Sequence, residues 1–237
     1  MKILDIIKNN LFIQNIAAII VSRISPFLDF SLAKYLAIKK AMYITAIDQT
    51  YGSYLEFGVF TGSSFNFAMK INKQLEKNFG LTDCEFVGFD SFEGFGEIKS
   101  DDKHPFFKNE FFSINEQKVL KNIKKCSKGQ KYRIIKGYYD KTLTENTTVG
   151  LKIEKSRVIL IDCDLKESTR LALEFVKPSL QEGTIILFDD YIWYKGNKDK
   201  GEHGAFKDFK IKYNNIKFRR AFDYGYGSRA YIVSKID

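Results

Sequence analysis

Acidic residues stand directly after two strongly apolar stretches of the sequence. Asp162 follows the run 158–161 (VILI), and Asp189 and Asp190 follow the run 184–188 (TIILF). Such continuous apolar runs are typical of strands buried on both faces of a parallel sheet, and neighbouring strands end at one edge of it. Carboxylates gathered there repel one another unless something cationic is present. Clustered carboxylates without cysteine or paired histidine ligands suit a hard cation such as Mg²⁺.

A nearby carboxylate, Asp164, has a simpler explanation. Together with Glu167 it matches a capping box for the helix predicted next in the sequence. We therefore expect the metal ligands to be Asp162, Asp189 and Asp190.

A glycine-containing turn follows the first predicted strand. The stretch 54–65, YLEFGVFTGSSF, holds an E-x-G-x-x-x-G pattern where strand-forming residues give way to helix-forming ones. Gly58 and Gly62 would let the backbone approach a ligand, and the following helix offers free N–H groups. A turn that needs glycine for packing alone is the competing interpretation. Phe60 stands where a dinucleotide-binding motif needs its middle glycine, and no G-K-[ST] of a P-loop occurs.

Another carboxylate ends the second predicted strand. The stretch 86–94 reads FVGFDSFEG, with Asp90 at the strand end. A carboxylate in this place can accept hydrogen bonds from both hydroxyls of a ribose, and the neighbouring Phe92 could cover an adenine ring. Alternatively, Asp90 and Glu93 form a helix cap. Considered with the glycine turn, the ligand-binding interpretation is favoured.

Hydrophobic periodicity predicts the elements that position these residues. Helices are expected at 3–22 and 28–51, and the later segments alternate between strand and helix. The predicted strands are 54–60, 84–90, 132–136, 158–162 and 184–189. The helices predicted between them are 63–77, 114–126 and 167–180. A closing β-hairpin is predicted from strands 218–224 and 229–234. Strands separated by helices imply an α/β fold with a mostly parallel sheet covered on both faces and an antiparallel C-terminal hairpin. We expect residues 1–52 to form a helical N-terminal extension and residues 53–237 to form one domain.

The composition limits the partners and the location. The formal net charge of +9 favours anionic molecules without distinguishing among them. The three cysteines show no C-x-x-C spacing, so neither a disulfide framework nor a zinc-thiolate site is indicated, and a reducing cytoplasm fits. The three prolines are never consecutive, so the Asn/Asp-Pro-Pro-Tyr motif typical of enzymes that modify amino groups of nucleic acids is missing. Nucleic acid is therefore an unlikely substrate.

The N-terminal apolar run 11–22 is interrupted by Gln14 and Asn15. It is shorter than the roughly 20 residues that cross a bilayer, so no transmembrane segment is predicted. Asp5, in the would-be basic leader, argues against a signal peptide. We expect an amphipathic helix that packs on the core or on a second subunit of a homo-oligomer, with peripheral membrane contact as the alternative.

Four of these stretches together resemble a known family. The stretches 54–64, 88–95, 161–169 and 183–191 look like those of the macrocin-type (TylF-like) sugar O-methyltransferases, which are class I S-adenosylmethionine-dependent enzymes of antibiotic and polysaccharide biosynthesis. The resemblance runs from residue 54 to 191 and onward through 204–208. It implies a Rossmann-like, seven-stranded class I methyltransferase domain at 53–237.

The resemblance also implies roles for individual residues. The cofactor S-adenosylmethionine would be held by Glu56, Gly58, Phe60, Thr61, Gly62, Ser63, Asp90, Ser91, Phe92 and Asp162. The Mg²⁺ ligands would be Asp162, Asp189 and Asp190, with Asp162 also counted as catalytic. The family uses a histidine base, for which His104 is expected and His203 is the alternative. The metal would bridge two sugar hydroxyls while His104 removes the proton.

Two other functions compete with sugar methylation. A catechol-type enzyme with a phenolic acceptor would use similar carboxylates and Mg²⁺, and a non-catalytic assembly subunit could keep the fold. The lysine-rich stretch 195–200 gives a slight preference for an anionic acceptor or glycan.

Overall fold

The strands supply the framework of the protein. A computed structural model describes residues 10–80, 84–108 and 111–237. The strands of these ranges are β1 (Ser53–Phe57), β2 (Phe86–Asp90), β3 (Tyr132–Lys136), β4 (Ser156–Ile161), β5 (Ile185–Phe188), β6 (Ile216–Tyr224) and β7 (Ser228–Ile236). They form one seven-stranded sheet in the order β3-β2-β1-β4-β5-β7-β6. Strands β1 to β5 pair in parallel, whereas β7 runs antiparallel to both β5 and β6. The predicted mostly parallel sheet with an antiparallel C-terminal hairpin is confirmed.

Helices cover both faces of this sheet. The α-helices of the described residues are α1 (Leu11–Ser22), α2 (Pro26–Ile47), α3 (Ser63–Phe79), α4 (Glu116–Ser127), α5 (Tyr139–Glu145), α6 (Lys166–Val176) and α7 (Gly201–Lys212). Because strand side chains alternate between faces, there are two cores. One lies under α2, α3 and α4, and the other under α5, α6 and α7. Strands β4 and β5 are buried along their whole length, as their apolar runs predict.

The ends of β1 and β4 are held in register beside each other. Phe57 pairs with Ile161, and Ile161 pairs with Phe188 of β5. The strand predicted at 54–60 ends at Phe57, because Gly58 adopts a positive φ of 94° that no strand can continue. The carboxyl ends of β1, β4 and β5 therefore lie side by side at one edge.

The first two helices differ in how they contact the core. Helix α1 has no buried residue, while the second half of α2 buries Ala37, Ile38, Ala41, Met42, Thr45 and Ala46. The buried Arg157 joins β4 to the second half of α2, because its guanidinium donates to Thr45 Oγ1 at 2.7 Å and to the Met42 carbonyl at 2.6 Å. The part of the first predicted helix before residue 10 lies outside the described residues. A domain boundary at residue 52 stays a prediction.

Helices α1 and α2 meet at a bend of 90°. Across the described ranges, no single helix has both the length and the apolar composition needed to cross a bilayer, although the bent pair meets those criteria when it is counted together.

Candidate active site

A cavity of about 610 Å³ opens at the carboxyl edge of the sheet. Its walls come from strand ends, from the first half of α2 and from the loop before α4. The lining includes Gly58, Phe60, Asp90, Ser91, Asp162, Cys163, Asp164 and Asp190 from the strand ends, and Pro26, Phe27, Phe30, Ser31 and Lys34 from α2. This is the place where open α/β sheets bind ligands.

The glycine turn after β1 is built around the carboxylate of Asp90. Asp90 Oδ2 accepts hydrogen bonds from the backbone N–H groups of Val59 and Phe60, both at 2.7 Å, and Oδ1 accepts one from Phe92 at 2.6 Å. Burial raises the pKa of Asp90, although these three bonds act in the opposite direction. The carboxylate therefore fixes two tight turns and still lines the cavity.

The predicted cofactor residues divide into two groups. Gly58, Phe60, Asp90, Ser91 and Asp162 line the cavity, whereas Glu56, Thr61, Gly62, Ser63 and Phe92 are not among its lining residues. The ring of Phe92 is only 2% exposed and belongs to the core beside α4. Other aromatic rings, including Phe60, Phe95 and Phe112, face the cavity and could cover a base.

Glu56 lies behind the glycine turn and is completely buried. Its carboxylate accepts hydrogen bonds from the Tyr54 hydroxyl at 2.6 Å and from the Ser64 hydroxyl at 2.7 Å. Burial raises the pKa of Glu56 to about 8, against the effect of these two donors. Glu56 therefore links β1 to the start of α3 and stabilises the glycine turn between them from its buried side.

The three aspartates predicted as metal ligands do converge. Asp162, Asp189 and Asp190 each offer an oxygen atom, and these atoms lie within 4.8 Å of one another. Their nearest cation is part of the protein: Lys34 Nζ lies 2.5 Å from Asp162 Oδ2 and 2.6 Å from Asp189 Oδ2. Burial alone would lower the pKa of Lys34, but attraction to the two aspartates raises it above its usual range. Sequence reasoning missed Lys34, which lies 128 residues from Asp162 in the chain.

Two further carboxylates adjoin this cluster. The Asp164 and Asp190 carboxyls are hydrogen-bonded to each other, and Asp190 donates its backbone N–H to Glu202 Oε2 at 2.9 Å. Burial raises the pKa of Asp164 to about 7 and raises the pKa of Glu202 as well. The capping box expected at Asp164 is wrong, because Leu165 is the N-cap residue of α6 and Asp102 accepts the N–H groups of Lys166 and Glu167. Sequence analysis did not single out Glu202.

The donor set fits a hard cation. All five side chains offer carboxylate oxygens, and Asp189 Oδ1 and Glu202 Oε1 are buried without a hydrogen-bond partner within the described ranges. One Lys34 ammonium cannot neutralise five carboxylates, four of them buried, so the cluster either holds protons or attracts another positive charge. A divalent ion at Asp162, Asp189 and Asp190 would supply that charge, provided that Lys34 moves.

Neither histidine is among the residues that line the cavity, although His104 contacts two of them, Phe107 and Trp193. His104 packs against Phe107 and Tyr194, at ring distances of 4.7 and 5.0 Å, and its Nδ1 accepts the Phe106 N–H at 3.2 Å. Burial lowers the pKa of His104. His203 stacks on Tyr191 at 4.3 Å.

The sheet order, the antiparallel last strand and a cavity at the carboxyl edge beside a glycine turn define a class I methyltransferase. The chain belongs to the macrocin O-methyltransferase (TylF) family, whose model matches residues 33–217. It is therefore an S-adenosylmethionine-dependent O-methyltransferase, as the sequence resemblance implied. A comparison with curated proteins gives no match.

Several solved structures share this fold. The O-methyltransferase NovP is 20% identical, with a TM-score of 0.68 over 86% of this chain and 80% of NovP. The calicheamicin methyltransferase CalS11 is 18% identical, with a TM-score of 0.70 over 97% of this chain and 89% of CalS11. The O-methyltransferase TomG from Streptomyces achromogenes is 12% identical, with a TM-score of 0.54 over 84% of this chain and 79% of TomG.

Proposed function

We propose that this protein transfers a methyl group from S-adenosylmethionine to a sugar hydroxyl with the help of Mg²⁺ or another divalent cation. The observation that carries the proposal is the convergence of Asp162, Asp189 and Asp190 beside a cavity that the glycine turn also lines. The sugar is supported by family membership and by CalS11, which is described as a TDP-rhamnose 3'-O-methyltransferase of calicheamicin biosynthesis. A phenolic acceptor is the alternative.

The strand ends would bind the cofactor. Asp90 keeps about one acceptor position free beyond its three backbone partners, because a carboxylate has about four, and it could accept a hydrogen bond from one ribose hydroxyl. Gly58 lines the cavity with its main chain, against which the methionine part could lie, and its missing Cβ lets the backbone of Asp162 come close. Glu56 would contribute by supporting this turn.

The acceptor would enter between α2 and the opposite wall. Phe27 and Phe30 of α2, Trp193 of the loop before α7 and Tyr226 of the β6–β7 turn all line this side of the cavity. Phe30 and Tyr226 lie nearly parallel, with ring centroids 6.4 Å apart. These rings would hold the apolar faces of the acceptor and keep water away from the reacting oxygen.

A divalent cation, when bound, lowers the pKa of an acceptor hydroxyl and stabilises the oxygen anion. Asp162, Asp189 and Asp190 would hold it. The proton needs an acceptor on the cavity wall, and Asp164 is a carboxylate in that position. His104, the base expected from the sequence, lies off this wall and packs against Phe107. We therefore propose Asp164 for proton removal and keep His104 as the alternative.

Methyl transfer is tested by following release of S-adenosylhomocysteine, with TDP-rhamnose, other nucleotide sugars and catechol offered as acceptors. We expect turnover with a nucleotide sugar, stopped by EDTA and restored by Mg²⁺. Asp189→Asn keeps the shape of the side chain and removes its charge, so the rate should fall by about 10²–10³-fold.

Asp208→Asn is the matched control, since Asp208 is an exposed aspartate paired with Lys166 away from the cluster. Its rate should equal that of the wild type. Full, EDTA-insensitive activity of Asp189→Asn would rule out the metal role, and turnover with catechol alone would favour the phenolic alternative.

The exposed apolar helix α1 is proposed as a subunit interface. Its side chains include Leu11 at 74% and Phe12 at 72% exposure, and exposed apolar surface of this kind marks interaction sites. Ile20→Glu should therefore shift the protein from a dimer to a 27.5 kDa monomer in light scattering, whereas Val149→Glu, at another exposed apolar position, should not. A wild-type monomer that sediments with anionic vesicles would instead support peripheral membrane contact. Cytoplasmic location stays a prediction.

A further inference from the structure

The first half of α2 is held over the cavity by side chains rather than by the core. Pro26, Phe27, Phe30, Ser31 and Lys34 recur on one face and line the cavity. The buried residues of this helix begin only at Ala37. The two halves of α2 therefore have different anchors, one in the core and one at the candidate active site.

Among the cavity-lining residues of this first half, Lys34 is the one that reaches the acidic cluster. Its side chain is 16% exposed, and its ammonium lies between one oxygen of Asp162 and one of Asp189. The same ammonium lies 5.5 Å from the centre of the Phe30 ring. The first half makes other side-chain contacts as well: Tyr226 donates to Asp29 and stacks on Phe30, and Tyr35 stacks on Phe67 of α3 with ring centroids 4.8 Å apart.

A bound divalent cation would need the same two aspartates. Two positive charges in contact with the same carboxylates would repel each other strongly in a buried site, where water screens little. Lys34 has a long side chain with four rotatable bonds and lies in the half of its helix that buries no residue in the core, whereas the aspartates follow directly on paired strands. The Lys34 ammonium is therefore the group that can move away from the two aspartates.

We propose that Lys34 and a divalent cation are alternative counter-ions of Asp162 and Asp189, so that cation binding releases Lys34 and loosens the first half of α2 over the cavity. The proposal rests on the proposed cation site. It makes Lys34 a positioning residue that holds α2 over the cavity when the cation is missing and gives way when it binds.

Calorimetric titration with Mn²⁺ tests the competition in the full chain. Lys34→Met removes the competing ammonium but keeps a long side chain, so Mn²⁺ should bind at least about 10-fold more tightly than to the wild type. Lys39→Met is the matched control, because Lys39 is an exposed lysine of the same helix and its loss changes the net charge equally. Its affinity should equal that of the wild type.

Equal or weaker Mn²⁺ binding by a folded Lys34→Met protein would overturn the competition while leaving the cation site intact. Binding by neither protein would overturn the cation site and the competition together. The two failures are therefore distinguishable.

Hydrogen exchange of the wild-type protein tests the movement without any substitution. Addition of Mn²⁺ should speed amide exchange in residues 27–36 and leave residues 37–47 unchanged, because the second half of α2 stays packed in the core. Unchanged exchange in residues 27–36 at saturating Mn²⁺ would overturn the release of the helix.

Discussion

Asp164→Asn is expected to lower kcat by about 10²–10⁴-fold, the usual contribution of a positioned proton acceptor. Asp164 lines the cavity and is 9% exposed. It lies in the turn after β4, two residues beyond the proposed cation ligand Asp162. Its φ is 61°, a left-handed conformation that asparagine also tolerates well. The variant should therefore fold normally and lose only the ability to accept a proton. The measurement is release of S-adenosylhomocysteine under saturating substrates.

His104→Gln is the comparison that separates the two candidate bases. His104 packs against Phe107 and Tyr194 beside the cavity, so its replacement should lower kcat by less than about 10-fold. Calorimetry with S-adenosylhomocysteine should give wild-type affinities for both variants. The opposite ranking, with an inactive His104→Gln and an active Asp164→Asn, would restore the histidine base expected from the sequence.

The parts of the site that the sequence predicts are those encoded locally. Asp162, Asp189 and Asp190 each follow a long apolar run, and the geometry of parallel strands then brings them together without any further information. The same holds for Asp90 and the glycine turn, because their strands are neighbours in the sheet. Residues at strand ends are predictable since pairing alone fixes where strand ends lie.

The parts that the sequence did not predict depend on tertiary packing. Lys34 reaches Asp162 and Asp189 only because the second half of α2 packs on the sheet, partly through the buried Arg157. Nothing in a helical stretch with several lysines marks one of them as buried. Phe92 illustrates the opposite case, since its position after Asp90 suggests a cofactor contact while its ring is buried in the core beside α4. Local patterns place the backbone, whereas the direction of a loop side chain is decided by its neighbours.

Gly58→Ala is expected to be among the most damaging single substitutions in the chain. Gly58 has a φ of 94°, and a Cβ atom there would lie 1.9 Å from the backbone carbonyl oxygen of Asp162. Backbone cannot swing aside like a flexible side chain, so the ends of β1 and β4 would have to separate. We expect the free energy of unfolding to fall by more than about 3 kcal/mol, from the clash and the left-handed strain together.

Gly80→Ala is the matched control, because Gly80 also has a positive φ, 64°, but a Cβ there would meet no atom of the described residues within 4 Å. It should reduce the free energy of unfolding by about 1–2 kcal/mol, through backbone strain alone. Urea denaturation of the two variants measures the difference. A Gly58→Ala protein as stable as Gly80→Ala would mean that the strand ends can separate freely. In that case the close approach of Gly58 to Asp162 could not be what fixes the position of the acidic cluster beside the glycine turn.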